Sequence, residues 1–455
     1  MTASPRNGRP NGPKAGPSPP PAPPPRQGPR PLGQHLGTAL AVLLSSPLGL
    51  HPSRSGLLPW RPALAPRASA LQPRLASADP DRLLAAVDQE MRARLDGLLT
   101  GVERYRRHPY HRRMPATEIA WAAGSAQLFA FGGEGPPVLF APSLINRGYV
   151  LDLMEERSLM RWLATQGLRP FLLEWGAPGP EEMTMDVSRL LARRLEPALE
   201  QVAARTGRKP ALVGYCMGGT LTVAAAERRP DLVAALGLLA APWDFHAGDA
   251  GPDGQEAGRG LAARQIAAMM PMFEPALRAT GALPVDAIQS LFAALDPLLA
   301  LRKFLRFAAM DPAGEDALSF VALEDWLNDG IVLPEPIARE CLDGWYGAND
   351  TALGRWRVDG RPVRPEALRL PTLVLVPSQD RIVPPASAQA LGRAIPGADM
   401  RTVPLGHIGM VVSRGAGRRV WEPLRDWLKA QAPAAAAPVK KPRRRAASRS
   451  RSPGS

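Results

Sequence analysis

Three residues of this chain have types and positions suited to nucleophilic acyl chemistry: Cys216, Asp380 and His407. Cys216 stands in Gly214-Tyr215-Cys216-Met217-Gly218, after the apolar run Ala211–Val213 and before a helical stretch from Leu221 to Arg228. A nucleophile at such a strand-to-helix turn needs small neighbours, because the turn is strained and its flanks approach the adjoining strand and helix. The thiol would project at the carboxyl end of the strand. The N–H of Met217, at the helix N-terminus, would face the place where charge develops on an attacked carbonyl oxygen. Asp380 follows a later apolar run, in Pro377-Ser378-Gln379-Asp380-Arg381, and His407 follows the last one, in Gly406-His407-Ile408. In the order nucleophile, acid, histidine, each on a loop after its own strand, His407 is the general base towards Cys216. Asp380 holds the imidazole's tautomer and stabilises its charged form, and an imidazolium beside a thiol favours the thiolate. A second oxyanion donor is expected on the loop that follows Val138–Ala141, with the backbone N–H of Ile145 as the candidate.

These residues need a scaffold that gathers the carboxyl ends of several strands. Short apolar runs at Val138–Ala141, Pro170–Leu173, Ala211–Val213, Ala234–Leu239, Thr372–Val376 and Arg401–Val403 supply one, with helical patterns such as Asp186–Ala204 between them. This alternation predicts an α/β fold with a doubly wound, mainly parallel sheet. From about 245 to 365 it lapses into a helix-rich stretch, read as a cap inserted into a catalytic domain of residues 131–431. Residues 31–130 read as a helical N-terminal region. There Asp79-Pro80-Asp81 opens a helix carrying Leu83, Leu84, Val87, Met91, Leu95, Leu98 and Leu99 at near-helical spacing. Residues 1–30 read as a disordered Pro/Arg-rich arm, and 432–455 as a disordered basic tail.

The chain has 455 residues and a net charge of +14, but the excess is confined to its ends. Residues 1–78 hold nine basic residues and no acid, and Lys440–Arg451 hold seven more, so the body is close to neutral. The body's charge therefore gives no reason to read it as a nucleic-acid-binding domain. Two cysteines, Cys216 and Cys341, exclude a disulfide-stapled scaffold and a multi-cysteine zinc site. The most apolar run, Leu36 to Leu50, falls short of the roughly 20 residues that span a bilayer. It is read as a short helix packed on the domain. His246 is a weaker candidate for lining the pocket, read as a structural or surface residue; His108 and His111 lack metal-ligand spacing with any Cys or carboxylate cluster, and Cys341 is read as a buried apolar residue.

Four segments together resemble the poly(3-hydroxyalkanoate) synthase family, α/β-hydrolase-fold proteins with a Cys nucleophile. They are PSLINRGYVLDL (142–153), LVGYCMGGT around Cys216, LLAAPWDF (238–245), and the Asp380-Arg-Ile-Val-Pro-Pro and Gly406-His407-Ile408 pair. The resemblance runs from about Pro137 to Trp427. It implies Cys216 as the acyl-accepting nucleophile, His407 as base and Asp380 as its support. Many synthases place His directly after the triad acid, where this chain has Arg381, and residues 31–130 do not resemble the family's N-terminal parts closely.

The function expected is an acyltransferase that polymerises 3-hydroxyacyl-CoA into polyhydroxyalkanoate through a Cys-linked acyl-enzyme, releasing CoA. Moving the acyl group from one sulfur to another keeps it activated. A hydrolase with the same triad, a thioesterase or polyester depolymerase, is the alternative, and a granule-coating scaffold is a third. No metal and no bound cofactor are expected, acyl-CoA being substrate. The expected partners are 3-hydroxyacyl-CoA and the growing polyester chain, with room for a homodimer. The basic tails are read as solvated segments that keep a near-neutral body soluble, with contact to a polyanion, DNA or an anionic surface, as the alternative; the expected location is cytoplasmic, with polyester granules as an option.

Overall fold

The computed structural model describes residues 25–60, 62–247 and 261–431. Among them eight strands form one sheet: β1 (Glu118–Ala123), β2 (Ala126–Ala130), β3 (Pro137–Ala141), β4 (Arg169–Glu174), β5 (Ala211–Tyr215), β6 (Ala235–Leu239), β7 (Thr372–Pro377) and β8 (Asp399–Val403). Their spatial order is β1-β2-β4-β3-β5-β6-β7-β8. From β4 to β8 all pairs are parallel, while β2 runs antiparallel to both β1 and β4. The register sets Gly214 of β5 opposite Ala141 of β3 and Leu238 of β6, so the carboxyl ends of neighbouring strands lie level.

Side chains alternate between two cores, one on each face. Val138, Phe140, Val213 and Leu375 enter one, and Leu139, Ala141, Leu212 and Val376 the other. Because parallel strands are covered on both sides by their crossover helices, they read as continuous apolar runs. All six runs marked in the sequence are strands of this sheet.

Glu118–Ala130, expected within the helical N-terminal region, is instead the β1–β2 hairpin. Gly124 takes a left-handed conformation at its turn (φ 55°), and Ala123 pairs with Ala126 across it. The helices of that region end at Arg107. They include α1 (Leu32–Leu44) and α2 (Pro80–Arg107). The side chain of Asp79 caps α2 by accepting from the N–H of Arg82 at 2.9 Å, and Pro80 takes the first helical position, where its missing N–H costs nothing. Only the second half of α2 is buried. Leu98, Val102 and Tyr105 join a third core with Leu301, Phe304 and Phe307, whereas Leu84 and Leu99 are exposed. In α1, Ala39 and Leu43 are buried while Leu40, Val42 and Leu44 face outward.

The arm read as disordered to residue 30 ends earlier, since Arg26 and Arg30 are hydrogen-bonded to the body. The rest of the arm, 1–24, and the basic tail, 432–455, lie outside the described residues. Between β6 and β7 the chain runs through helices that include α4 (Val285–Leu295), α5 (Leu299–Ala308) and α6 (Glu315–Asn328), with α3 (Met217–Arg228) preceding β6. No helix among the described residues is long and apolar enough to cross a membrane.

Candidate active site

The sharp turn from β5 into α3 presents Cys216, whose φ of 57° and ψ of −130° lie outside the regions that L-residues ordinarily occupy. Such strain persists only where the surroundings enforce it. Here the N–H of Cys216 donates to the carbonyl of Leu239 at 2.9 Å, and its own carbonyl accepts from Gly219 at 2.8 Å. A side chain on Gly214 would put its first carbon 2.4 Å from Gly219 Cα, and one on Gly218 would sit 2.1 Å from the carbonyl oxygen of Ala141. The two glycines of the motif therefore let the turn lie flush against its own helix and against β3.

Asp380 and His407 follow β7 and β8, and the parallel sheet delivers them to the same end as Cys216. His407 Nδ1 lies 2.6 Å from Asp380 Oδ2. The other oxygen, Oδ1, accepts from the N–H groups of Ile382 (2.8 Å) and Val383 (2.9 Å), which fixes the carboxylate's orientation. A carboxylate only accepts, so Nδ1 is the donor and Nε2 is left for the nucleophile. Both side chains are buried. Burial alone would lower the imidazole's pKa, but the charge of Cys216 and hydrogen bonds to Asp380 and Cys216 outweigh it and raise the pKa to about 10. The structure thus brings the three sequence-predicted residues together, His407 hydrogen-bonded to Asp380 and sharing a cavity lining with Cys216.

Met217 is the first residue of α3, and Ile145 lies in the wall of the cavity above Cys216. The Ile145 N–H donates to Ser143 Oγ over a long 3.4 Å, and its carbonyl accepts from Ile331 at 2.8 Å. That cavity has a volume of about 400 Å³ and is largely apolar, with Phe292, Leu299, Leu327 and Ile382 among its lining. Helix α6 secures the loop that carries Ile145. Asn146 Nδ2 donates to the carbonyls of Trp326 (3.2 Å) and Leu327 (3.3 Å), and Trp326 Nε1 donates to the carbonyl of Arg147 at 2.7 Å.

Sequence reasoning missed some of the supporting residues. The Tyr215 hydroxyl donates to the carbonyl of His407 at 3.2 Å from a buried position, so the residue before Cys216 steadies His407. Its place inside the elbow motif was the available signal. Asn146 sits within the quoted 142–153 segment, but its partners lie 180 residues away. His246 and His108 are structural. His246 Nε2 pairs with the carbonyl of Tyr346 at 2.9 Å, and His108 bridges the Pro312 carbonyl and the Tyr110 N–H. Cys341 is buried and its thiol is pushed well up by desolvation. No cluster of three or more potential metal ligands occurs among the described residues.

The family model described as alpha/beta hydrolase fold matches residues 136–413. Among curated proteins, the chain is similar to the poly(3-hydroxyalkanoate) polymerase subunit PhaC of Haloferax mediterranei, 30% identical over 295 residues that cover 64% of this chain and 58% of that protein. The subunit of the same name from Haloarcula marismortui is 28% identical, over 65% of this chain and 61% of that protein. That from Synechocystis sp. is 31% identical over 302 residues, covering 64% of this chain and 77% of the relative. The match thus spans about three fifths of the length of the first two relatives.

Proposed function

Since the chain belongs to the poly(3-hydroxyalkanoate) polymerase family within the alpha/beta hydrolase fold, we propose that it polymerises 3-hydroxyacyl groups from their CoA thioesters through an acyl-enzyme on Cys216. The observation that carries this reading is a cysteine, not a serine, at the elbow, sharing the lining of an apolar cavity with His407. His407 takes the thiol proton and the Cys216 sulfur attacks the thioester carbonyl. The oxyanion is met by the N–H of Met217 and by one from the Ile145 loop. The C–S bond to CoA then breaks, and the departing sulfur takes the proton back from His407. One thioester has replaced another at little change in free energy.

In the second half, His407 deprotonates the hydroxyl of another hydroxyacyl unit, whose oxygen attacks the acyl-enzyme. An ester forms, and the Cys216 sulfur leaves and is reprotonated. Water would hydrolyse the same intermediate, so an apolar cavity lined by α4, α5 and α6 favours transfer. Asp380 keeps Nδ1 protonated throughout. The chemistry calls on no metal and no bound cofactor.

The test is incubation of the purified protein with 3-hydroxybutyryl-CoA, following CoA and acyl products together. Polymer in proportion to CoA supports the reading. An equal amount of free 3-hydroxybutyrate would replace it with a hydrolase, and absence of CoA release would leave a scaffold. Attachment to polyester granules, self-association and a polyanion contact through the basic tail belong to the same proposal. Deleting residues 436–455 should lower duplex-DNA affinity at low salt and leave the catalytic rate unchanged.

A further inference from the structure

Arg381, the residue that stands beside the triad acid where many synthases have His, does not turn inward. Its side chain is 76% exposed and lines the same cavity as Cys216. Arg302 of α5, 52% exposed, lines the cavity too. Both guanidinium groups converge on one carboxylate oxygen, Asp296 Oδ2, which Arg381 meets at 2.8 Å. Two positive charges thus share one negative charge in the lining of the cavity, and each guanidinium has N–H groups beyond the one that Asp296 accepts from.

The other charged groups of the cavity are matched one to one. Lys303 is held by both oxygens of Glu324 (2.7 and 2.8 Å), and Arg30 by Asp286 (2.8 Å). The unbalanced charge lies at the Arg302–Arg381 pair, and the cavity that the pair shares with Cys216 has a mostly apolar lining. A guanidinium fork matches a phosphate oxygen pair better than it matches an uncharged group. A ligand with an anionic phosphate end and an uncharged arm would meet complementary surface along its whole length.

We propose that Arg302 and Arg381 bind the phosphate end of acyl-CoA, holding the thioester carbon over Cys216 while the uncharged pantetheine arm crosses the cavity. This rests on the reading of the site as one that consumes acyl-CoA.

The experiment compares 3-hydroxybutyryl-CoA with 3-hydroxybutyryl-pantetheine, which carries the same thioester and no phosphate. For Arg381→Ala, Arg302→Ala and the double variant, KM for the CoA thioester should rise about ten-fold or more, as loss of a charge-assisted contact implies, with kcat little changed. For the pantetheine thioester the rise should stay within about two-fold, because the lost contact is one it never makes. Equal losses on both substrates would overturn the proposal and make the arginines mere struts between cap and loop through Asp296. Equilibrium binding of CoA itself to Cys216→Ala protein supplies a readout free of turnover. There the arginine variants should weaken binding by a similar factor, and added salt should weaken binding to Cys216→Ala itself. Unchanged CoA affinity in the arginine variants would overturn the proposal even if polymer is made. If the enzyme turns over neither thioester, the functional reading fails, and the CoA-binding comparison still decides the role of the arginines.

Discussion

Arg26 grips Asp325 with two nitrogens, Nε to Oδ1 at 2.6 Å and Nη2 to Oδ2 at 2.8 Å, across 299 residues of sequence. The same guanidinium donates to the carbonyls of His108 (2.5 Å) and Tyr110, and it lies over the ring of Tyr105. Asp325 also accepts from the Tyr105 hydroxyl at 2.8 Å, and the next residues of α6, Trp326 and Leu327, hold Asn146 beside the oxyanion loop. Arg26 therefore ties the N-terminal segment to the cap helix that steadies the site.

Replacing Arg26 with Ala leaves a half-buried carboxylate short of its strongest partner. The cost should be about 2 kcal/mol, below the roughly 3–5 kcal/mol of a fully buried pair because water still reaches Asp325. Arg26→Lys should recover little of it, since an ammonium cannot make the two-point contact or the stack. Urea unfolding of the three proteins measures this, and a full rescue by Lys would mean that charge alone matters there.

The two cysteines should react very differently. Cys216 is partly exposed at the cavity floor beside His407, whereas Cys341 is buried and its thiol is held up by desolvation. Iodoacetamide at pH 7 should label Cys216 well before Cys341, as peptide mapping would read. Cys216→Ala should abolish CoA release with the fold intact. His407→Gln should be nearly as damaging and Asp380→Asn less so, with sub-additive double variants because the three act as a unit.

Gly218→Ala is expected to fail through structure, not chemistry. The added carbon would lie 2.1 Å from the Ala141 carbonyl oxygen, a backbone atom that cannot swing aside. The strand and helix would have to part, at a cost of about 1–3 kcal/mol, with loss of activity from the displaced nucleophile. Thermal unfolding together with CoA release separates the two effects, and an unshifted melting temperature would contradict this packing.

The grouping of Cys216, Asp380 and His407 was legible because each follows its own apolar run, and parallel strands bring distant loops to one end without further information. Buried strands announce themselves as continuous runs such as Thr372–Val376. The β1–β2 hairpin did not, because Glu118–Ala123 carries three alanines, poor strand formers, on an edge that is only partly buried. Arg26 was invisible for another reason. A Pro/Arg-rich stretch reads as solvated by composition, and nothing local says that one of its arginines has a bidentate partner in the cap. The grip of α6 on Asn146 is likewise a long-range contact with no periodic signature.

The last prediction concerns pH. His407 has its pKa raised to about 10 in the folded protein, by Cys216 and Asp380 acting against burial. In the unfolded chain the value returns to about 6.5. The folded state therefore holds its proton more tightly, and the charged imidazole contributes stability that is complete below about pH 6.5. That contribution falls as pH rises through the interval up to about 10 and is gone above it. His407→Gln cannot titrate, so the stability gap between wild type and this variant should narrow steadily from pH 7 to pH 10. Denaturant unfolding at several pH values measures it. Asp380→Asn removes one source of the upward shift, so its narrowing should be complete at lower pH than in the wild type. A gap that widens with pH would mean that His407 is held neutral by burial, and that Cys216 and Asp380 do not sustain an imidazolium at this site.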